Sequence, residues 1–194
     1  MVSPDFLKEL DRASPGTWIG QPKLDGWRRV ADNLSGWKFQ AKHTKGPASK
    51  PLPKDLQEEF ESLPWPKGII LDMEWLGPRV VAHVKENSLN IFDCLGWDGE
   101  WKGNVPFKVR YSTLEKIAYK PDPCYISSCK HINIVPCWSN PGLFDRYLEQ
   151  MQNPLSEGLV IRRADSGLIG SFNHCANNPL WFKVKYRQIG EKGK

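Results

Sequence analysis

Short apolar runs, broken by Gly, Pro, Asn and Ser, set the rhythm of the chain. Trp27 to Ala31, Trp37 to Ala41, Ile69 to Leu76, Arg79 to Val84, Leu89 to Leu95, Ile132 to Val135, Leu159 to Arg162 and Trp181 to Tyr186 each read as a strand, rich in β-branched and aromatic residues between turn formers. Three stretches repeat at helical spacing instead: Leu56, Phe60 and Leu63 after Pro53; Tyr111, Leu114 and Ala118; and Phe144, Tyr147, Leu148 and Met151. Each predicts an amphipathic helix with its apolar side toward a core. The sum is an α+β layout: antiparallel sheets flanked by a few helices, with strand ends and turns presenting side chains to a central cleft. The sixteen Pro and sixteen Gly are spread along the chain, and no repeat or low-complexity linker interrupts it, so residues 1–194 read as a single domain.

Composition narrows the class but not the activity. A chain of 194 residues can bury a core without a disulfide or metal staple, and 40% apolar with 25% charged residues is ordinary for a soluble globular protein. A net charge of +5 is compatible with a polyanionic partner, since Lys and Arg release counterions from phosphate backbones, but a solvated basic surface accounts for it equally. Nine Trp side chains can stack on bases, although most large aromatics simply fill cores. The five cysteines include no C-x-x-C pair, and His174 with Cys175 matches no metal-ligand spacing. Without a basic-then-apolar leader or an apolar run of bilayer length, the sequence predicts an intracellular, reducing location.

Chemistry concentrates in KLDGWR, Lys23 to Arg28, where an amine, a carboxylate and a guanidinium fall within six residues around Gly26, a residue that permits a turn or a close backbone approach. On its own the hexapeptide is equally a solvated turn before a strand. Its pattern, K-x-D-G-x-R, resembles the nucleotidyl-acceptor motif of the covalent nucleotidyltransferase superfamily, which contains ATP-dependent DNA ligases, RNA ligases and mRNA capping enzymes. Further segments resemble that family's motifs in the same order. LDMEWLG (Leu71 to Gly77) is similar to the D-G-E strand, with Met73 in place of Gly. NIFDCLGWDG (Asn90 to Gly99) is similar to the aromatic-Asp motif. SEGLVIRR (Ser156 to Arg163) matches E-G-x-V-I-[KR], and WFKVK (Trp181 to Lys185) matches the terminal K-x-K motif.

The resemblance implies an ATP-grasp-like ligase adenylation domain around a nucleotide cleft, with Lys23 as the residue that takes AMP. It places Lys183 and Lys185 beside Lys23 as catalytic cations, and assigns Gln21, Arg28, Lys42, Glu74, Phe92, Glu157, Lys183 and Lys185 to the nucleotide. Glu74 would meet the ribose, Phe92 would stack on adenine or be a plain core residue, and Glu157 would be the carboxylate nearest a magnesium ion. In FQAKHTKGP, Lys42 or Lys45 stands where the family carries Arg in an S-R-x-G-like element, and Lys42 is the one assigned; either supplies a point charge but not a bidentate fork. A lysine attacks only when unprotonated, so the surrounding cations are expected to disfavour the ammonium form of Lys23 and to offset charge on the phosphate.

KLDGWR, together with Pro106, Arg110 and Leu114, is closer to DNA ligase than to RNA ligase or to a GTP-using capping enzyme. The implied partner is a nicked DNA duplex held through its phosphates without sequence readout, acted on by a monomer. No segment after Lys185 reads as the OB-fold domain that usually follows in this superfamily. A non-catalytic nucleotide- or nick-binding module is therefore the competing class.

Overall fold

The computed structural model describes residues 3–41, 51–78, 84–118, 129–168 and 180–186. In chain order its elements are α1 (Asp5–Asp11), β1 (Trp18–Leu24), β2 (Trp27–Asp32), β3 (Lys38–Ala41), α2 (Lys54–Ser62), β4 (Ile70–Leu76), β5 (Ser88–Trp97), β6 (Glu100–Trp101), α3 (Phe107–Ala118), β7 (Ile132–Ile134), β8 (Trp138–Ser139), α4 (Leu143–Gln150), β9 (Ser156–Arg163) and β10 (Trp181–Lys185). The fold is α+β, as the hydrophobic pattern predicts. Among the described residues no helix is long and apolar enough to cross a membrane. The expected strand at 79–84 and Lys42 lie outside the described residues, apart from Val84 itself.

The chain divides into two compact units, and the division falls inside KLDGWR, between Leu24 and Asp25. The first unit holds the chain up to Leu24, Cys137–Ala164 and the described end at 180–186. Its sheet runs β10-β9-β1-β8, antiparallel throughout. Leu159, Ile161 and Val184 from the sheet pack with Leu7 and Leu10 of α1 and Leu143 and Tyr147 of α4 to form its core. Helix α4 starts after Gly142, which sits in the left-handed region at φ 112° and has no side chain with which to cap. Asp11 supplies the cap from a distance: its carboxylate accepts the backbone N–H groups of Gly142, Leu143 and Phe144 at 3.0, 2.9 and 3.0 Å. Buried Asn140 ties the same corner together, donating to the carbonyls of Leu10, Ala13 and Ser14 and accepting from the Trp18 N–H.

Not every residue on the predicted face of α4 is buried. Tyr147 is, but Leu148 and Met151 are 45% and 51% exposed, because the 3.6-residue period carries them past the edge of the core.

The second unit, Asp25–Pro136 with Asp165–Leu168 of the described residues, is built on a six-stranded sheet in the order β3-β2-β4-β5-β6, with β7 pairing parallel to β5. One face of its strands is apolar: Ala31, Leu71, Met73, Trp75, Leu89 and Ile91 are all fully buried. Leu56 and Phe60 of α2 are buried, and Phe60 anchors an aromatic cluster of Trp37, Phe39 and Trp65. Helix α3 buries Phe107, Tyr111 and Leu114, and the Tyr111 hydroxyl donates to the Val135 carbonyl at 2.9 Å.

Candidate active site

In the first unit Lys23 stands in strand β1, where the sequence suggests a turn ahead of a strand. The ladder between β1 and β9 is regular from Trp18↔Arg163 to Pro22↔Leu159, then shifts, so that Leu24 pairs with Ser156. Lys23 thus faces two residues, Glu157 and Gly158, at a bulge that bends the strand and re-aims side chains. Glu157 Oε1 pairs with Lys23 Nζ, and Glu157 Oε2 pairs with Lys185 Nζ. One carboxylate therefore bridges two lysines, from the first and last of the family-like motifs.

Gly158 makes this arrangement possible. Its φ is 141°, and a Cβ there would overlap the Val184 carbonyl oxygen on β10. Lys185 pairs with Gly158 in the ladder, and Lys183, two residues earlier and exposed, pairs with Val160. Val160 in turn pairs with Gln21, which is 2% exposed on β1.

The bridge also changes the electrostatic picture. The sequence predicts cations around Lys23, and the structure adds a carboxylate, that of Glu157, in direct contact with it.

In the second unit one face of the sheet carries charged side chains. Arg28 on β2 pairs with Glu74 on β4, and Asp72, two residues before Glu74, lies on the same face. The guanidinium of Arg28 grips Asp72 with both ends: Nε donates to Oδ1 at 2.6 Å and Nη2 donates to Oδ2. Asp72 is 1% exposed, so this ion pair is largely desolvated on the acidic side.

A second bulge sits beside it. Asp72 pairs with Asp93 and Met73 with Ile91, which leaves Phe92 as the extra residue of β5. Phe92 is only partly buried, and Arg28 lies over its ring at 5.5 Å, within reach of a cation–π contact. Asp72 and Asp93 are side by side across the strands, a placement that repels unless each charge is neutralised. Arg110 of α3 answers Asp93 with two bonds of 2.9 and 2.8 Å, at 0% and 2% side-chain exposure. It also donates to the carbonyls of Gly103 and Val105. The neighbouring Cys94 thiol is pushed up to about 12, chiefly by burial and then by Asp93.

Gly26, in the hexapeptide, is not in a left-handed turn. A Cβ there would lie 2.6 Å from the Trp75 carbonyl oxygen and 2.8 Å from Glu74 Cγ, so close backbone approach is what the position requires. The next residue but two, Arg29, is buried on the apolar face between the rings of Trp27 and Trp75, and burial lowers its pKa from the ordinary arginine value.

Asp72, Asp93 and Arg110 are the polar residues whose roles sequence reading did not assign. The signal for Asp72 is its spacing from Glu74, since alternate strand residues share a face. Nothing in the letters marks the bulge that exposes Phe92.

The backbone has parallels among solved proteins. No family model matches the chain, and no curated protein matches it either. The backbone is similar to that of a Lig E DNA ligase described as binding DNA with a minimal scaffold, at TM-score 0.57 and 17% identity, covering 90% of this chain and 64% of that one. It is similar also to mycobacterial DNA ligase D complexed with ATP, at TM-score 0.56 and 16% identity, covering 87% and 54%. A Naegleria gruberi RNA ligase mutant with ATP and Mn aligns at TM-score 0.50 and 14% identity, covering 95% and 53%. The fold is that of a ligase nucleotidyltransferase domain. This chain spans between about half and two thirds of the length of the ligases it resembles. The Lys23–Glu157–Lys185 bridge and the Arg28–Asp72 pair lie on the strands that carry the family-like segments of the sequence.

Proposed function

We propose that residues 1–194 form the single nucleotidyltransferase domain of an ATP-dependent polynucleotide ligase that seals nicked DNA, a monomeric, intracellular enzyme. The observation that carries this reading is the bridge of Lys23, Glu157 and Lys185, three residues from three separate motifs gathered on one carboxylate.

In the first step deprotonated Lys23 Nζ attacks the α-phosphorus of ATP; the P–N bond forms, the P–O bond to pyrophosphate breaks, and pyrophosphate leaves. A 5′-phosphate oxygen at a nick next displaces Lys23 from AMP, and the 3′-hydroxyl finally displaces AMP, losing its proton as the strand joins. Each step is phosphoryl transfer, in which positioning and charge neutralisation supply most of the rate. Lys183 and Lys185 would offset charge on the phosphates, Arg28, Glu74 and Phe92 would hold the sugar, phosphate and base, and Gln21 and Lys42 would complete the nucleotide contacts.

Magnesium requires few protein ligands, because it keeps waters and takes phosphate oxygens. Among the described residues no group of three or more His, Cys, Asp or Glu could hold a metal by itself; with the triphosphate supplying oxygens, Glu157 would be the carboxylate nearest the ion. Bound there, the cation would neutralise the pyrophosphate leaving group. The DNA would be held through its phosphates, which carry no sequence information.

Incubation of the whole chain with labelled ATP and magnesium is expected to give a covalent adduct that Lys23→Ala abolishes. Labelling of wild type no better than Lys23→Ala would overturn the catalytic reading in favour of a nucleotide- or nick-binding module, and a preference for GTP would favour a capping enzyme. The similarity of the fold to an RNA ligase keeps RNA as the second substrate reading. With pre-adenylylated nicks, DNA is expected to be sealed faster than RNA, and the reverse order would transfer the assignment.

A further inference from the structure

The polar face of the second unit does not end at Glu74. Arg28 pairs with Glu74 across β2 and β4, Glu74 with Asn90 across β4 and β5, and Asn90 with Asn133 across β5 and β7. Cross-strand partners share a face, so four polar side chains stand in line on four strands, about 4.8 Å apart. The adjacent positions Met73 and Ile91 are fully buried, which fixes the register and keeps the line facing away from the core.

The two amides are held by their neighbours, Asn90 through the backbone of Glu74 and Asn133 through Asn90. Asn90 Nδ2 donates to the Glu74 carbonyl at 3.4 Å and to Ser88 Oγ at 3.0 Å, while Asn90 Oδ1 accepts from Asn133 Nδ2 at 3.4 Å. Asn90 is thereby held in place by its neighbours, and Asn133, exposed at the end of the line, rests on Asn90. An amide is both donor and acceptor without net charge, the same character as an alcohol, whereas a phosphate is better met by a cation. A sugar ring over Asn90 would have the Glu74 carboxylate one strand spacing to one side and the Asn133 amide one spacing to the other.

We infer that Asn133, oriented by Asn90, is a further sugar-hydroxyl contact of the nucleotide site and makes that site favour a ribonucleoside over its deoxy forms. This rests on the proposed nucleotide-binding role of Arg28 and Glu74. Asn90 is a positioning residue; Asn133 meets the ligand.

The test is equilibrium binding of ATP, 2′-deoxyATP and 3′-deoxyATP to the full chain, for wild type and Asn133→Ala, with lysyl-AMP formation measured alongside. Wild type is expected to bind ATP about tenfold more tightly than at least one deoxy analogue, and Asn133→Ala to bring that ratio close to one by weakening ATP alone. Equal weakening of all three nucleotides, or no change in the ratio, would overturn the inference. If wild type forms the adduct while the ratio ignores Asn133, the inference fails and the ligase reading stands. If the ratio responds but no adduct forms, the inference stands and the catalytic reading fails. Failure of wild type to bind any of the three would remove both.

Discussion

The two units place functional side chains by the same device and hold them by opposite ones. In each, an antiparallel ladder runs regularly and then slips at a bulge: between Pro22 and Leu24 in the first unit, between Asp72 and Met73 in the second. In the first unit the slip brings Lys23 to Glu157, whose two oxygens are shared between two lysines, with side chains 17% to 36% exposed. Such partly exposed pairs are screened more than fully buried ones, so they are the more readily exchanged. In the second unit the slip sets Asp72 beside Asp93, and each acid is clamped by its own arginine, with Arg110 fully buried. Breaking a pair of that kind leaves an uncompensated buried charge. The proposed site of the nucleophile and the frame beside the Asp72 and Asp93 clamps thus differ in how far their ion pairs are removed from water.

Substitutions that remove one partner at a time would test this contrast. Asp93→Ala should cost the most, about 3 to 5 kcal/mol by chemical denaturation, because Arg110 is left buried and unpaired; a loss under about 1 kcal/mol would mean the clamp is not structural. Asp72→Ala should cost less, about 1 to 3 kcal/mol, since the Arg28 side chain is 26% exposed and regains water. Its adduct yield should also fall as Arg28 loses its orientation, and an unchanged yield would argue against that link. Asp11→Ala removes the distant cap of α4 and should lower stability by about 1 kcal/mol; an effect indistinguishable from zero would show that water replaces the cap. Glu157→Gln should change stability by less than about 1 kcal/mol while abolishing most adduct formation. The contrast breaks if Glu157→Gln destabilises as much as Asp93→Ala. Smallest of all, Cys94 should resist thiol reagents in the folded protein at pH 8, since its thiol is held up near 12; labelling before unfolding, read by peptide mass spectrometry, would contradict its burial.

Much of the frame is legible in the letters. The strands at Trp27, Ile70, Ser88, Ser156 and Trp181 and the helices at Lys54, Phe107 and Leu143 all follow from period and punctuation. Helix α1 and strand β1 do not: Asp5–Asp11 is short, and Trp18–Leu24 is interrupted by Gly, Gln and Pro, so neither has a clean period. Strand β1 is the one that carries Lys23. Local pattern reports which residues are apolar, but pairing with β8 and β9 is what makes WIGQPKL a strand, and pairing is a long-range property. The same holds for the site. Motif resemblance selects Lys23, Glu157 and Lys185, and the structure brings these three together, but the bulges and the Asp72 and Asp93 clamps arise from register between distant segments.

The glycines of KLDGWR and SEGLVIRR lead to a consequence for recognising kindred sequences. Neither carries a side chain, and each keeps space clear for a backbone, near Trp75 in one case and Val184 in the other. A search pattern that treats Gly26 and Gly158 as interchangeable with alanine, on grounds of smallness, would admit chains whose neighbouring strands cannot come together. One that insists on both, while letting Met73 stand where glycine is customary, would follow what the backbone itself forbids.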